Sequence, residues 1–243
     1  MQILRRAYQR SISLRVYVNG QLKVTAGRLM SDKQILEFLT EKQDWIETAQ
    51  REHQQIRQQY KPKLFREGES FMYLGFDLPL TKVSRPTQKT AVKFKFSQNT
   101  LLCHFNEELL KVFDDNSQSA EYNKALRKCY EKAGRKWLEH RVDFWSQKMQ
   151  LFSRRLSYRS QKTRWGSCSS QGDISLNWRL VAAPLPVLDY VVIHELSHLQ
   201  HRDHSASFWR LVSQYDSNYK YHRKWLRQHI WEFDFLAKDS ELF

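Results

Sequence analysis

The sequence predicts an α+β fold, and three observations carry that prediction. Apolar and polar side chains alternate with a period of two through much of the first hundred residues. A single apolar stripe at helical spacing then runs from about 119 to 150. The last third mixes short strand-like runs with a helix carrying His194, Glu195 and His198. At 243 residues the chain can bury one substantial core or two smaller ones. The expected division is a β-rich N-terminal subdomain over 1–113, with a helix near 32–58, followed over 114–243 by a long helix and a second domain.

The first element is a hairpin. Ile12, Leu14, Val16 and Val18 alternate with polar residues, Asn19-Gly20 supplies the positive-φ pair of a type I′ turn, and Leu22 and Val24 continue the return strand. Ser31 and Gln34 then form a capping-box signature, opening a helix through Ile35, Phe38, Leu39 and Ile46 toward Gln58. Strands are expected at 70–74, 78–83, 91–96 and 101–105, the last two as a hairpin. The DDNSQS stretch at 114–119 is the candidate linker. Beyond it, Leu126, Cys129, Tyr130, Ala133, Trp137, Trp145 and Met149 line one face of a long helix. RRLSYRS reads as a strand, KTRWGSCSSQGD as a turn-rich loop, and ISLNWRL (174–180) as a second strand exposing Ser175, Asn177 and Arg179 on one face. Pro184 and Pro186 precede a helix starting near Val187, and helices after Ser205 and around YKYHRKWLRQHIWEF complete the chain.

The formal charge is +14, from 40 Lys and Arg against 26 Asp and Glu. That balance favours acidic partners such as nucleic acid, and residues 151–180 set six cations against Asp173 alone. Three scattered cysteines, Cys103, Cys129 and Cys168, are no disulfide framework and suit a reducing compartment. The N-terminus lacks the apolar core of a secretory signal, and no apolar run reaches the ~20 residues of a membrane span. The expectation is a cytoplasmic protein with no membrane partner.

HELSHLQHRDH, residues 194–204, carries four histidines and a glutamate. At 100° per residue, His194 and His198 stand about 40° apart on one helix face, while Leu188, Val192, Leu196 and Leu199 occupy the other. Two imidazoles at i and i+4 suit one tetrahedral zinc, with Glu195 beside them to work on a water. His204, ten residues after His194, is the candidate third ligand. Three protein ligands leave a fourth position open, the catalytic arrangement, with one zinc per chain. The spacing is also that of metzincins, but His201 stands where those have Gly, and no Met follows Met149 to form their Met-turn.

RWGSCSSQGDISLNWRLVAAPLPVLDYVVIHELSHLQHRDHSASFW resembles the YgjP-like family of metal-dependent hydrolases, minimal zincins allied to SprT-like proteases. The hairpin and helix ending near DWI, the YLGFDLPL segment and the closing YKYHRKWL fit the same pattern. The resemblance implies a zincin-type catalytic domain, a small mixed or antiparallel sheet with an active-site HExxH helix. It also implies His194, His198 and His204 as zinc ligands, Glu195 as general base, and a protein or peptide substrate.

The expected chemistry is peptide-bond hydrolysis by zinc-activated water, with Glu195 taking the proton and returning it to the leaving amine. ISLNWRL, just before the helix, is the expected substrate edge, pairing with an extended peptide through Ser175, Asn177 and Arg179. Arg164, His201, Tyr221 and His222 are candidates to stabilise an oxyanion, and Asp189, Asp203 and Asp216 to orient the imidazoles. Trp165, Phe208, Trp209 and Trp225 read as core. The competing reading is a basic nucleic-acid-binding protein with structural zinc or no metal. A hybrid, a protease that charge recruits to nucleic acid, stands between the two.

Overall fold

The structure, a computed structural model, describes residues 2–9, 11–17, 21–59, 63–161, 164–229 and 233. The described residues divide into two compact units, one up to residue 59 and the other from residue 63 onward. The mixed α+β class predicted from the sequence is the one observed.

In the first unit, β1 (Gln2–Arg6), β2 (Ser13–Val16) and β3 (Leu22–Gly27) form a sheet in the order β1-β3-β2. The expected hairpin is present as antiparallel β2 and β3; its turn at Asn19-Gly20 lies outside the described residues. β1 adds in parallel, which the alternation did not announce. α1 (Asp32–Glu41) starts at the Ser31 capping box and α2 (Gln43–Gln59) follows. The single helix expected here is therefore two, broken at Lys42. The Thr40 hydroxyl donates back to the Leu36 carbonyl at 3.0 Å, a bond that bends a helix. Val24, Ala26 and Ile35 form this unit's core, with Leu14, Met30 and Leu39 packed around it.

The second unit begins with β4 (Ser70–Tyr73), β5 (Phe76–Ser84), β6 (Val92–Phe96) and β7 (Leu101–Phe105), ordered β4-β5-β7-β6. After the short α3 (Glu107–Leu110) comes α4 (Asp115–Met149), which takes up most of the stretch expected as a linker. Tyr122, Leu126, Tyr130, Leu138 and Val142 bury one face of α4 in the same core as the sheet. β8 (Arg155–Arg159), β9 (Gly166–Cys168) and β10 (Asp173–Asn177) form a second sheet, ordered β8-β10-β9. A 3-10 turn (Trp178–Ala182) leads into α5 (Leu185–Ser197), followed by α6 (Ala206–Tyr215) and α7 (Tyr219–His229).

Close backbone approaches hold α5 in place. Gly134 of α4 passes the 3-10 turn so tightly that a Cβ would lie 2.3 Å from the Trp178 carbonyl. The β4–β5 turn docks on the same segment: Leu74 and Gly75 donate to the Val181 and Ala182 carbonyls at 2.7 and 3.1 Å. Arg141 of α4 grips Asp189 of α5 with two bonds of 2.6 and 2.8 Å, both side chains largely buried. No helix among the described residues is long and apolar enough to cross a membrane.

Candidate metal centre

α5 buries Leu188, Val192 and Leu196 completely or nearly so and turns His194 and His198 to its other side, as the spacing predicts. The helix ends at Ser197, and His198 is its C-cap. The chain then turns tightly, with the His201 N–H bonded to the Ser197 carbonyl at 2.9 Å. It returns to α6, which Ser205 caps by accepting from the Phe208 N–H; Asp203 accepts from the Ser205 N–H at 3.2 Å. That loop brings His204 back over the helix.

His194, His198 and His204 converge, each offering one ring nitrogen, all within 4.8 Å of one another. The Nε2 atoms of His194 and His204 are 3.2 Å apart. Ligands at zinc–nitrogen distances of 2.0–2.1 Å in a tetrahedron stand about 3.3 Å apart, so this spacing suits one small ion. The Nδ1 of His198 lies 3.0 Å from the His201 carbonyl, which fixes the proton on Nδ1 and frees Nε2. His201 thus contributes its backbone. Burial, followed by the neighbouring His198, His204 and Arg223, lowers His194 to about 3, and burial also lowers His198. Both shifts favour the neutral imidazole, the form that binds metal.

Glu195 is 5% exposed, and its carboxyl lies against β9, where a Cβ on Gly166 would stand 2.5 Å from Oε1. Burial raises its pKa to about 8, with Arg164 pulling the other way. His194 Nδ1 and Glu195 Oε2 are buried without a hydrogen-bond partner among the described residues. Unpaired buried polar atoms are uncommon, and two of them here belong to adjacent residues of one cluster.

Rings back the triad. Phe208, fully buried, stacks on His198 at 4.5 Å between centroids. Trp209 stacks on His204 at 5.6 Å and on Tyr219 at 5.1 Å, with the Arg223 guanidinium 5.2 Å from its centre. Phe208 is core as expected, but it and Trp209 also form the wall of the histidine cluster, and nothing local in the sequence marked Tyr219 or Arg223. Their spacing from the motif, four and nineteen residues past His204 for the nearest and farthest of these contacts, depends on how α6 and α7 fold back.

Other expected partners go elsewhere. Asp189 is engaged by Arg141, Asp203 caps its own loop, and Asp216 meets His222 Nδ1 at 2.8 Å. None of the three pairs with a triad imidazole. Tyr221 is 64% exposed, and Arg164 bears on Glu195 through its charge.

The substrate-edge expectation is corrected. β10 is the central strand of its sheet, paired in parallel with β8 and antiparallel with β9, so both its edges are occupied. Ser175 and Asn177 therefore have no free backbone edge, and Arg179 lies in the 3-10 turn, 7% exposed, bonded to the Ser160 hydroxyl. The strand stops because Asn177 caps that turn, its Oδ1 accepting from the Arg179 N–H while its Nδ2 donates to the Gln161 and Arg164 carbonyls. β9 is the edge strand beside Glu195.

No curated protein and no solved structure matches the chain. A model of the YgjP-like metallopeptidase domain matches residues 10–229, taking in the histidine centre, the sheet against which Glu195 packs and the sheet that docks on the start of α5, and the chain belongs to the YgjP-like metallopeptidase family.

Proposed function

We propose that this protein is a zinc-dependent peptidase in which His194, His198 and His204 hold the metal and Glu195 is the general base. The observation that carries the reading is the convergence of three imidazoles, two of their nitrogens 3.2 Å apart, beside a buried carboxyl with an unpartnered oxygen. Neutral imidazoles with an open fourth position suit zinc at a catalytic site. Bound zinc supplies Lewis acidity, lowering the pKa of a water and polarising a carbonyl oxygen.

The chain's residues do the rest. Glu195 accepts the proton of the attacking water at its carboxylate and passes it to the leaving amine. A nearby dication favours the ionised carboxylate and opposes the upward shift that burial imposes. The His201 carbonyl keeps His198 in one tautomer, and Phe208 and Trp209 fix the planes of His198 and His204. The pairing register leaves the N–H and C=O groups of Gly166 and Cys168 directed outward from β9, next to Glu195. An extended protein segment pairing there would bring a peptide carbonyl to the centre.

A basic nucleic-acid-binding protein with a purely structural zinc is the second reading. Structural zinc is closed by four protein ligands, and the triad gains no fourth His, Cys, Asp or Glu among the described residues.

The test is elemental mass spectrometry on untagged wild type, Glu195→Gln and His204→Ala, purified without chelators, followed by cleavage of an unfolded protein substrate. About one zinc per chain is expected in wild type and Glu195→Gln and much less in His204→Ala, with turnover in Glu195→Gln reduced about 10²–10⁴-fold. A metal-free wild type even after zinc is supplied, or full activity in Glu195→Gln, overturns the assignment.

A further inference from the structure

The solvent face of the N-terminal sheet has a chemistry that the histidine centre does not use. Strand alternation and the pairing register put Val24 and Ala26 on the face covered by α1, and Lys23, Thr25, Arg15, Ser13 and Arg6 on the other. A cavity of ≈ 260 Å³ opens on that second face, lined by Arg6, Gln9, Ser13, Arg15, Lys23 and Thr25. Three cations, two hydroxyls and an amide thus surround one hollow.

No carboxylate is among the residues that line it. Residues 1–31 contain six Lys and Arg and no Asp or Glu. The next acid along the chain, Asp32, is already bonded to Arg5. Among the described residues, Arg6, Arg15 and Lys23 have no carboxylate partner. Arg15 and Lys23 are moreover direct cross-strand partners. Their Cα atoms then stand about 5.5 Å apart, and like charges placed so destabilise a sheet. A sheet that keeps such a pair facing a hollow gains stability when an anion enters. Beside this face in sequence, Tyr8 precedes Gln9 and is 98% exposed, an aromatic ring without packing.

We infer that this face binds single-stranded nucleic acid, with Arg6, Arg15 and Lys23 on consecutive phosphates and Tyr8 stacking on a base. Cations at strand spacing with a free aromatic ring are the chemistry that single strands recruit. An acidic peptide offers Tyr8 no base. A bilayer surface calls for apolar side chains that insert, whereas the cavity-lining side chains other than Leu14 are polar or charged. The inference is independent of the zinc assignment, since it concerns the other compact unit and is read by binding alone.

The experiment is fluorescence anisotropy of the full-length protein with a labelled 20-nucleotide single strand between 50 and 200 mM salt. Three phosphate contacts give a log–log salt slope contribution of about −2, or roughly a twentyfold loss of affinity across that range. The variant Arg6→Gln/Arg15→Gln/Lys23→Gln is expected to lose that part of the slope and to bind at least about tenfold more weakly at 50 mM. Arg15→Gln alone should lower the slope by about 0.7. Tyr8→Ala should weaken binding about tenfold with an unchanged slope, because stacking is not an ionic contact. The control Lys128→Gln/Lys132→Gln/Lys136→Gln, three exposed cations of α4 with the same change in net charge, should bind like wild type.

The single substitutions keep the test valid even if the triple variant folds poorly. Equal losses in the α4 control and the sheet variant overturn the proposal, as does an unchanged slope in Arg15→Gln. Binding to vesicles containing phosphatidylserine without binding to nucleic acid also overturns it.

Discussion

A methyl group on Gly166 would lie 2.5 Å from Oε1 of Glu195 and 2.7 Å from its carboxyl carbon. β9 therefore passes directly against the carboxyl, and only a residue without a side chain leaves that carboxyl where it is. The carboxyl proposed as the base is positioned by a backbone.

The first prediction follows. Gly166→Ala should keep the proposed zinc, because the atoms nearest the new methyl group all belong to Glu195 and not to a ligand histidine, but should lose turnover about a hundredfold as Glu195 is displaced. Metal content and kcat measured on one preparation check this. A variant with normal kcat would show that Glu195 works from another position.

The second concerns the clamp on α5. Asp189→Asn leaves the Arg141 guanidinium, 12% exposed, without its charge partner, and should cost about 3 kcal/mol in urea unfolding. Pairing it with Arg141→Met should recover most of that loss, since the unpaired charge is then gone. Equal stabilities for the single and double variants would refute the account.

The third concerns the metal-free protein. Burial holds Glu195 at about 8 against an ordinary 4.5, and His194 at about 3 against 6.5. From pH 6.5 to 8 the unfolded chain has released the carboxyl proton that the folded chain still holds, so stability falls as pH rises. From pH 4.5 down to 3 the unfolded imidazole is protonated and the folded one is not, so stability falls as pH drops. Between 4.5 and 6.5 the two slopes oppose each other. Melting temperatures after chelation should show Glu195→Gln losing the alkaline decline; parallel curves for wild type and variant would contradict the burial argument.

The parts of this molecule that were legible in the sequence are those written in local periodicity. The β2–β3 and β6–β7 hairpins, the Ser31 cap, the apolar back of α5 and the i, i+4 placement of His194 and His198 all repeat at short range. What was not legible is decided by distant chain. Whether ISLNWRL is an edge or a centre depends on β8, whose parallel partnership no alternation in ISLNWRL encodes. That Asp216 would serve His222, and that Gly166 would face Glu195, likewise depend on segments brought together only by packing. His204 lies between the two cases: its identity was visible, while its approach to within 3.2 Å of His194 required the loop.

That loop separates the three proposed ligands by the kind of chain that holds them. His194 sits within a helix and His198 at its cap, both fixed before any ion arrives, whereas His204 is exposed on a short non-helical connection between Leu199 and Ser205. In such a centre, capture and release of an ion would not be simultaneous at all three nitrogens. With zinc held as proposed, release would begin at His204, the ligand on the non-helical connection, before His194 and His198 on the helix let go. The lifetime of the loaded protein would then depend on how firmly Ser205 and Asp203 anchor the far end of that connection.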